Sequence, residues 1–386
     1  MAKKQSKGVQ MNKLVINKED LLQNVQKIKE HAKINLPDDN GRPVKIIVVV
    51  KSNAYGLDLK QYTEFMVNQG LDFFAVSTVQ EAIEFRKLGF TQQLLMLSST
   101  AIKEEVELLI KNNVIVTIGS KEAADVVCKI ATECPEQKIK AHIKIDTGFG
   151  RYGFVYTNRE FMVESLKKIQ EQKNVEIQGT FTHFSNSYYD EKYTKLQFKR
   201  YIDCIEVLKM NNIETGMLHV CNSSAFIKFP EMHLNAVRVG SAFIGKLAFQ
   251  NNIGLKKVAK LESQVTEIKE LPEKFNVGYS NAYKTKKSTR VAIIPCGYIN
   301  GVDVQVGRDM FRTVDKIRYV VRDLKDMFKK QNHSVFINNQ RCEILGRIGT
   351  FHVTVDITGK DVNIGDKAVF DVNTILVNSD VKREYK

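Results

Sequence analysis

Ile46-Ile47-Val48-Val49-Val50-Lys51-Ser52-Asn53-Ala54-Tyr55-Gly56 sets the reading of the whole chain. Five β-branched apolar residues in a row describe a strand buried on both faces, as in a parallel sheet. The run stops abruptly at a lysine. An amine at the end of such a strand is expected to be partly removed from water. Burial disfavours the ammonium form and turns the amine into a nucleophile able to form a Schiff base with a carbonyl cofactor. A lysine that snorkels outward or pairs with a carboxylate is the competing reading of this segment.

The strand recurs. Beyond an opening strand and helix from Lys13 to Ala32, strand-like runs fall at Lys45–Lys51, Asp72–Ser77, Leu94–Ser98, Val114–Gly119, His142–Thr147, Ile177–Phe184, Leu218–Ser223 and Ala236–Phe243. The segments between them carry apolar residues at three- and four-residue spacing, such as Ala82, Ile83, Phe85 and Leu88. Eight alternating strand–helix units predict an α/β fold with an N-terminal (β/α)8 TIM barrel over residues 12–248. Beyond about Ala248 the rhythm changes to short strands and turns: Lys257–Ile268, Val291–Cys296, Ser334–Ile337, Glu343–Arg347 and His352–Thr358. Residues 249–386 are therefore expected to form a mostly-β domain. It is interrupted at about 303–332 by an amphipathic helical insertion carrying Phe311, Val314, Ile317, Val320, Val321, Leu324, Met327 and Phe328. Residues 1–11 read as a basic tail.

Composition narrows the class. The chain has 386 residues, 58 basic and 44 acidic, for a net charge of +14. The basic residues are interleaved with acidic ones, which predicts a solvated basic surface suited to anionic small molecules rather than a nucleic-acid site. No apolar stretch approaches the roughly 20 residues needed to span a bilayer. The N-terminus is basic without an apolar core, so a secretory signal is not expected. The six cysteines show no CxxC pair or metal-type spacing. They read as reduced thiols of a cytoplasmic protein that binds no metal.

In a barrel, reactive groups sit at the C-terminal ends of the strands. Lys51 ends the first strand; Asp146, Thr147 and Arg151 follow the fifth; His183 ends the sixth; Asn222, Ser223 and Ser224 end the seventh; Arg238, Gly240 and Ser241 lie on and after the eighth. Each has an ordinary explanation alone: a core histidine, a tight turn at Gly148 and Gly150, helix caps at Ser223 and Ser241. Their convergence on one rim is the informative observation. Small residues after strands seven and eight suit a phosphate. With an imine-forming lysine and a histidine able to stack on a ring, the set points to pyridoxal phosphate.

The same residues resemble the alanine racemase family. Lys51-Ser52-Asn53-Ala54-Tyr55-Gly56 is similar to its K-A-N-A-Y-G motif, and Lys144-Ile145-Asp146-Thr147-Gly148-Phe149-Gly150-Arg151 to its K-x-D-T-G-M-G-R segment. Thr182-His183-Phe184, Asn222-Ser223, Arg238-Val239-Gly240, Tyr279, Pro295-Cys296-Gly297-Tyr298 and Leu345-Gly346-Arg347-Ile348-Gly349 continue the resemblance to the C-terminus.

The resemblance implies a pyridoxal-phosphate-dependent isomerase that interconverts L- and D-alanine by two bases, supplying D-alanine for peptidoglycan. Lys51 would hold the cofactor and serve one face. Tyr279, from the other subunit of a homodimer with shared active sites, would serve the opposite face. Tyr55, Ser223 and Ser241 would bind the cofactor's phosphate, Asn222 and Gly240 would belong to the cofactor site, and His183 would pack beside the ring. Arg238 would face the ring nitrogen; a guanidinium does not accept a proton, which weakens the ring as an electron sink. Barrel decarboxylases usually place a carboxylate there. Arg151, Tyr298 and Thr350 would lie near the substrate. Lys144 occupies a position carbamylated in some relatives.

The chain departs from the family pattern in places. Gly349-Thr350-Phe351 stands where the family has S-M-D or C-M-D, which bears on substrate choice. Leu57-Asp58 replaces His-Gly, and Asp371-Val372-Asn373-Thr374 stands where a phosphate-binding tyrosine is expected. A racemase for serine, lysine or ornithine, a barrel decarboxylase and a non-catalytic pyridoxal-phosphate-binding protein are the alternatives. The last would be expected to lack the β domain.

Overall fold

A computed structural model describes residues 12–32, 43–250, 253–308, 311–328 and 333–386. The basic tail expected at 1–11 and parts of the expected insertion, 309–310 and 329–332, lie outside the described residues. The chain divides into two compact units, residues 19–258 and residues 259–386 together with the segment ending at Lys18.

The first unit is a nearly closed barrel of parallel strands. These are β1 (Lys45–Val49), β2 (Phe73–Val76), β3 (Gln93–Met96), β4 (Val116–Ile118), β5 (Ile139–Asp146), β6 (Val175–Phe181), β7 (Met217–His219) and β8 (Ala236–Val239). They neighbour one another in chain order, and β8 pairs with β1. A single parallel bridge between Leu95 and Ile115 links β3 to β4, the two ends of the strand order. All eight expected strands are present; each ends one to four residues earlier than expected, and those at Gln93, Ile139, Val175 and Met217 begin one to three residues sooner. The β-branched run behaves as its composition requires: Ile47, Val48 and Val50 are fully buried. Helices fill the connections, including Leu59–Asn68, Val79–Lys87, Lys121–Glu133 and Glu191–Met210. The two-residue strand Phe154–Val155 pairs beside β5.

The second unit is a nine-stranded, mostly antiparallel sheet. Its order is Glu267–Leu271, Thr289–Ile294, Val353–Asp356, Gln340–Leu345, Ser334–Ile337, Lys367–Phe370, Ala259–Gln264, Lys13–Ile16, Lys382–Tyr385. The strand Lys13–Ile16 corrects the expectation that residues 12–248 belong to the barrel. It pairs antiparallel with Ala259–Gln264 and parallel with Lys382–Tyr385, so backbone hydrogen bonds to distant segments decide its place. The segment expected as one strand over Lys257–Ile268 is two strands, broken at Val265 and Thr266. Asn338 and Asn339 both take positive φ (48° and 62°), giving the tight hairpin between Ser334–Ile337 and Gln340–Leu345.

The helix within the expected insertion spans Thr313–Phe328. Asp315 is buried under ion pairs with Arg312 and Arg318, while Val314, Ile317, Val320, Val321, Leu324 and Met327 are exposed. Among the described residues, no helix is long and apolar enough to cross a membrane.

Candidate active site

The C-terminal rim of the barrel collects the side chains that the sequence singled out there. The chain reverses its hand immediately after Val50. Ser52, Asn53, Ala54, Tyr55 and Gly56 have φ of 54°, 53°, 53°, 56° and 85°, a short left-handed turn. Such a conformation costs non-glycine residues about 1–2 kcal/mol each, so it requires outside support. The Ala54 N–H donates to the Val50 carbonyl and the Gly56 N–H to that of Ser52, each at 2.9 Å. Asn53 Oδ1 accepts from the Leu59 N–H at 2.7 Å. The Asp58 carboxylate caps the following helix at the Gln61 N–H.

Lys51 stands where the turn begins, exposed as a residue but with its amine partly desolvated, as expected of it. The strand ends at Val49, two residues before the lysine. Its amine has a lowered pKa, first from desolvation and then from the Arg151 charge, with Glu81 opposing. Tyr55, at the end of the turn, is buried against β8. A β-carbon on Gly240 would overlap the Tyr55 hydroxyl, so only glycine fits there. The Ser241 N–H donates to that hydroxyl, yet desolvation raises the phenol's pKa overall. Ser223 Oγ accepts from the Gly240 N–H (3.0 Å) and the Ala242 N–H (3.3 Å), tying the ends of β7 and β8 together. Asn222 is the N-cap of Ser223–Lys228: its Oδ1 accepts from the Ser224 and Ala225 N–H groups and from the Ser187 hydroxyl. The cap that the sequence offered to Ser223 is thus made by Asn222.

The loop after β5 is built on one carboxylate. Asp146 Oδ1 accepts from the N–H groups of Gly148 (2.9 Å) and Phe149 (2.7 Å), and Oδ2 from those of Gly150 (2.9 Å) and Arg151 (3.0 Å). Gly148 and Gly150 have φ of 123° and 75°, which glycine adopts without strain. The loop stacks Arg151 over the Phe149 ring at 4.3 Å, and Phe149 edge-on to His183 at 5.5 Å. Lys144 is buried, donates to the Leu97 carbonyl at 2.7 Å and lies over the Tyr152 and Phe181 rings. Desolvation, then the charges of Arg238 and Arg151, push its pKa down to about 7.

Arg238 is the buried anchor of the floor. Nη1 donates to His219 Nδ1 (2.8 Å) and the His219 carbonyl; Nη2 donates to the carbonyls of Thr182 (2.6 Å) and Val220. A guanidinium only donates, so His219 Nδ1 is an acceptor and its proton sits on Nε2. That nitrogen in turn faces His142 Nδ1 at 3.0 Å and donates to it. The assignment agrees with the titration of both rings. Desolvation and Arg238 lower His219 well below its ordinary value and bring His142 to about 3. A bulge in β6 at Gln178, the residue skipped between the partners of Ala141 and His142, sets Gly179 opposite His142, and the absence of a β-carbon there leaves room for the His142 ring. The sequence reading passed over His142 and His219. Their signal was available: His142 lies two residues before Lys144 on one face of β5, and His219 ends β7.

His183 experiences all four cations of the rim, Arg238, Arg151, Lys144 and Lys51, which add to desolvation in lowering its pKa. The nearby carboxylates, Asp146 and Glu81, each accept several backbone N–H bonds. The rim therefore suits an anion, and the Gly240–Tyr55–Ser223 cradle suits a compact one such as a phosphate. In the second unit, Thr350 Oγ1 donates to Tyr298 Oη at 2.8 Å. Tyr279 stands 65% exposed on the short 3-10 turn Tyr279–Asn281, whose Ser280 and Asn281 have positive φ.

Two family descriptions match the chain: alanine racemase, N-terminal domain, over residues 16–247, and alanine racemase, C-terminal domain, over residues 258–379. An alanine racemase of Methanococcus maripaludis is 31% identical over 345 residues, covering 88% of this chain and 84% of its own length. One from Clostridium perfringens is 33% identical over 340 residues, covering 84% and 79%. The solved alanine racemase of Clostridium difficile superposes with a TM-score of 0.82 at 25% identity, covering 98% of this chain and 97% of its own. The fold is also that of a Bartonella henselae alanine racemase with covalently bound pyridoxal phosphate (TM-score 0.78, 20% identity, 97% and 99% covered).

The Lys144 amine makes stability depend on pH. Below pH 7 it is protonated in both the folded and the unfolded chain, and the full burial penalty applies. Between pH 7 and about 10.4 the unfolded chain keeps a proton that the folded chain has lost, so stability rises with pH by up to about 1.4 kcal/mol per unit. Urea unfolding in carbonate-free buffer at pH 7, 8.5 and 10 should show this rise, and Lys144→Met should flatten it. Parallel curves would refute the depressed pKa.

Proposed function

The chain belongs to the alanine racemase family, and from that premise we propose that it is a pyridoxal-phosphate-dependent isomerase interconverting L- and D-alanine. The observation that carries the reading is the positive rim: Lys51, Arg151, Arg238 and the partly protonated Lys144 all add to desolvation in lowering the pKa of His183, while both nearby carboxylates are engaged by backbone N–H groups. Such a rim attracts a phosphate-bearing cofactor and an amino acid's carboxylate together.

Pyridoxal phosphate, when bound, supplies the electron sink that makes an amino acid's α-C–H acidic. The residues of this chain do the rest. The Lys51 amine, with its lowered pKa, holds the cofactor and moves the proton on one face of the α-carbon. The Tyr279 phenol of a partner subunit moves it on the other face, so racemisation needs a homodimer with shared sites; the phenol's exposure in the single chain fits that part. Tyr55, Ser223, Gly240 and Ser241 cradle the phosphate, and Asn222 keeps that cradle in place by capping the helix beside it. Arg238, fixed by four hydrogen bonds, presents a charge that accepts no proton, and His183 packs beside the ring. Arg151 orients the substrate carboxylate. Lys144, with its pKa near 7, has at neutral pH a substantial share of the unprotonated amine from which a carbamate forms. The protein works in the cytoplasm, and its D-alanine serves peptidoglycan synthesis.

A second reading has its own observation. The Thr350–Tyr298 hydroxyl pair is polar where the family carries methionine. It favours a small polar side chain, such as that of serine, over alanine's methyl group.

Purified protein incubated separately with L-alanine, L-serine, L-lysine and L-ornithine, with the products separated by chiral chromatography, decides between these. D-alanine should form fastest. D-serine forming fastest would select the second reading, and no D-amino acid at all would refute both.

Loss of either base should lower the rate by about 10²–10⁴-fold. Lys51→Ala and Tyr279→Phe proteins should each be nearly inactive, and mixing them should restore part of the activity, because a mixed dimer retains one intact site. No recovery under demonstrated subunit exchange would contradict the shared-site reading.

A further inference from the structure

Glu81 has no part in the reaction as described so far, yet both its carboxylate oxygens are engaged. Oε2 accepts from the N–H groups of Ser77 (2.9 Å) and Thr78 (3.2 Å); Oε1 accepts from the Ser52 N–H at 2.6 Å. The bond to Thr78 is ordinary helix capping. Thr78 is the N-cap of Val79–Lys87, and its hydroxyl accepts from the Glu81 N–H at 3.2 Å in return. A capping box uses one carboxylate oxygen. Here the other crosses from the β2 loop to the β1 loop and takes the N–H of the residue next to Lys51.

That N–H belongs to the start of the left-handed turn. Within the turn, the Ala54 and Gly56 N–H groups reach the carbonyls of Val50 and Ser52. The first N–H groups of any helical turn precede its internal acceptors and need a partner from outside. Glu81 is that partner for Ser52, and a charged acceptor makes the stronger bond. The direction in which Lys51 leaves the rim is set by the two peptides on either side of it. One is the Val50–Lys51 peptide, whose carbonyl accepts from the Ala54 N–H at 2.9 Å. The other is fixed by Glu81.

We propose that Glu81 is a positioning residue for Lys51: by gripping the Ser52 N–H from the neighbouring loop, it fixes the turn that aims the lysine amine. The proposal rests on the reading of Lys51 as the cofactor-bearing base. Glu81 sits in the sequence as an unremarkable member of a helix cap, and the capping role alone would explain a loss of stability on its removal. The test therefore has to separate aim from stability.

Three variants of the full-length, cofactor-loaded protein do so: Glu81→Ala, Glu81→Gln and Thr78→Ala. Thr78→Ala removes the hydroxyl of the cap and leaves the carboxylate on Ser52. Glu81→Ala should lower kcat for alanine about 10²-fold, the scale of a 1 Å misplacement of a reacting group, with KM nearly unchanged. Glu81→Gln, with one accepting oxygen in place of two, should fall between it and the parent, and it carries the test if Glu81→Ala does not fold. Thr78→Ala should lower the melting temperature but leave kcat near that of the parent. Amide hydrogen exchange, measured by mass spectrometry on a peptide spanning residues 50–57, should rise in both Glu81 variants and not in Thr78→Ala. This second readout does not depend on turnover, so it reports on the clamp even if the parent protein forms no D-alanine. Unchanged exchange at 50–57 in the Glu81 variants, or Thr78→Ala matching Glu81→Ala in kcat and exchange, would reduce Glu81 to a helix cap and overturn the proposal.

Discussion

The reversal of hand after Val50 is the constraint around which the barrel rim is organised. A right-handed continuation of the chain would be the default for L-residues; the left-handed turn adds about 1–2 kcal/mol for each of the four non-glycine residues from Ser52 to Tyr55. The return is geometric. The turn takes the chain from the end of β1 to the neighbouring β8 within five residues, where Tyr55 fills the space left by the absent side chain of Gly240 and meets the Ser241 N–H. The lysine amine and the anion cradle are thereby placed by one short segment. Strain held at a functional site and offset by the surroundings is a recurring arrangement, and here the surroundings can be named: Glu81 on Ser52, Asn53 on Leu59 and the two internal carbonyl bonds.

Electrostatics follow from the same layout. The barrel floor keeps Arg238 charged by surrounding it with carbonyls and a neutral imidazole, and that charge adds to desolvation in lowering the pKa of Lys144, His142, His183 and His219. The carboxylates that would cancel the excess are held by backbone donors, Asp146 by four and Glu81 by three. Those contacts shape the loops after β1, β2 and β5. One arrangement thus supplies loop geometry, an amine of lowered pKa and affinity for anions.

The barrel was legible because its strands are buried on both faces, so each reads as a short apolar run with polar residues at the end. Strand ends were less legible: β4 is three residues long where the apolar pattern runs on to Gly119. Lys13–Ile16 could not be placed because a four-residue alternating strand says nothing of its partners, and these lie more than 240 residues away. The left-handed turn after Val50 was not legible, because an apolar pattern predicts burial of the strand and not the hand of the turn after it. Positive φ at Ser52, Asn53 and Ala54 has no marker in residue type apart from the asparagine. Most rim residues stood out as polar groups at strand ends. His142 and His219 did not, because a histidine inside a strand has the look of core packing until its hydrogen-bond partner is seen.

The central claim is that the amine at the end of β1 holds the cofactor. Borohydride reduction of the protein loaded with pyridoxal phosphate, followed by proteolysis and mass spectrometry, tests it directly. The account predicts that the cofactor is fixed to one peptide and that the modified residue is Lys51. Modification at Lys144 or another lysine, with Lys51 unlabelled, would contradict it.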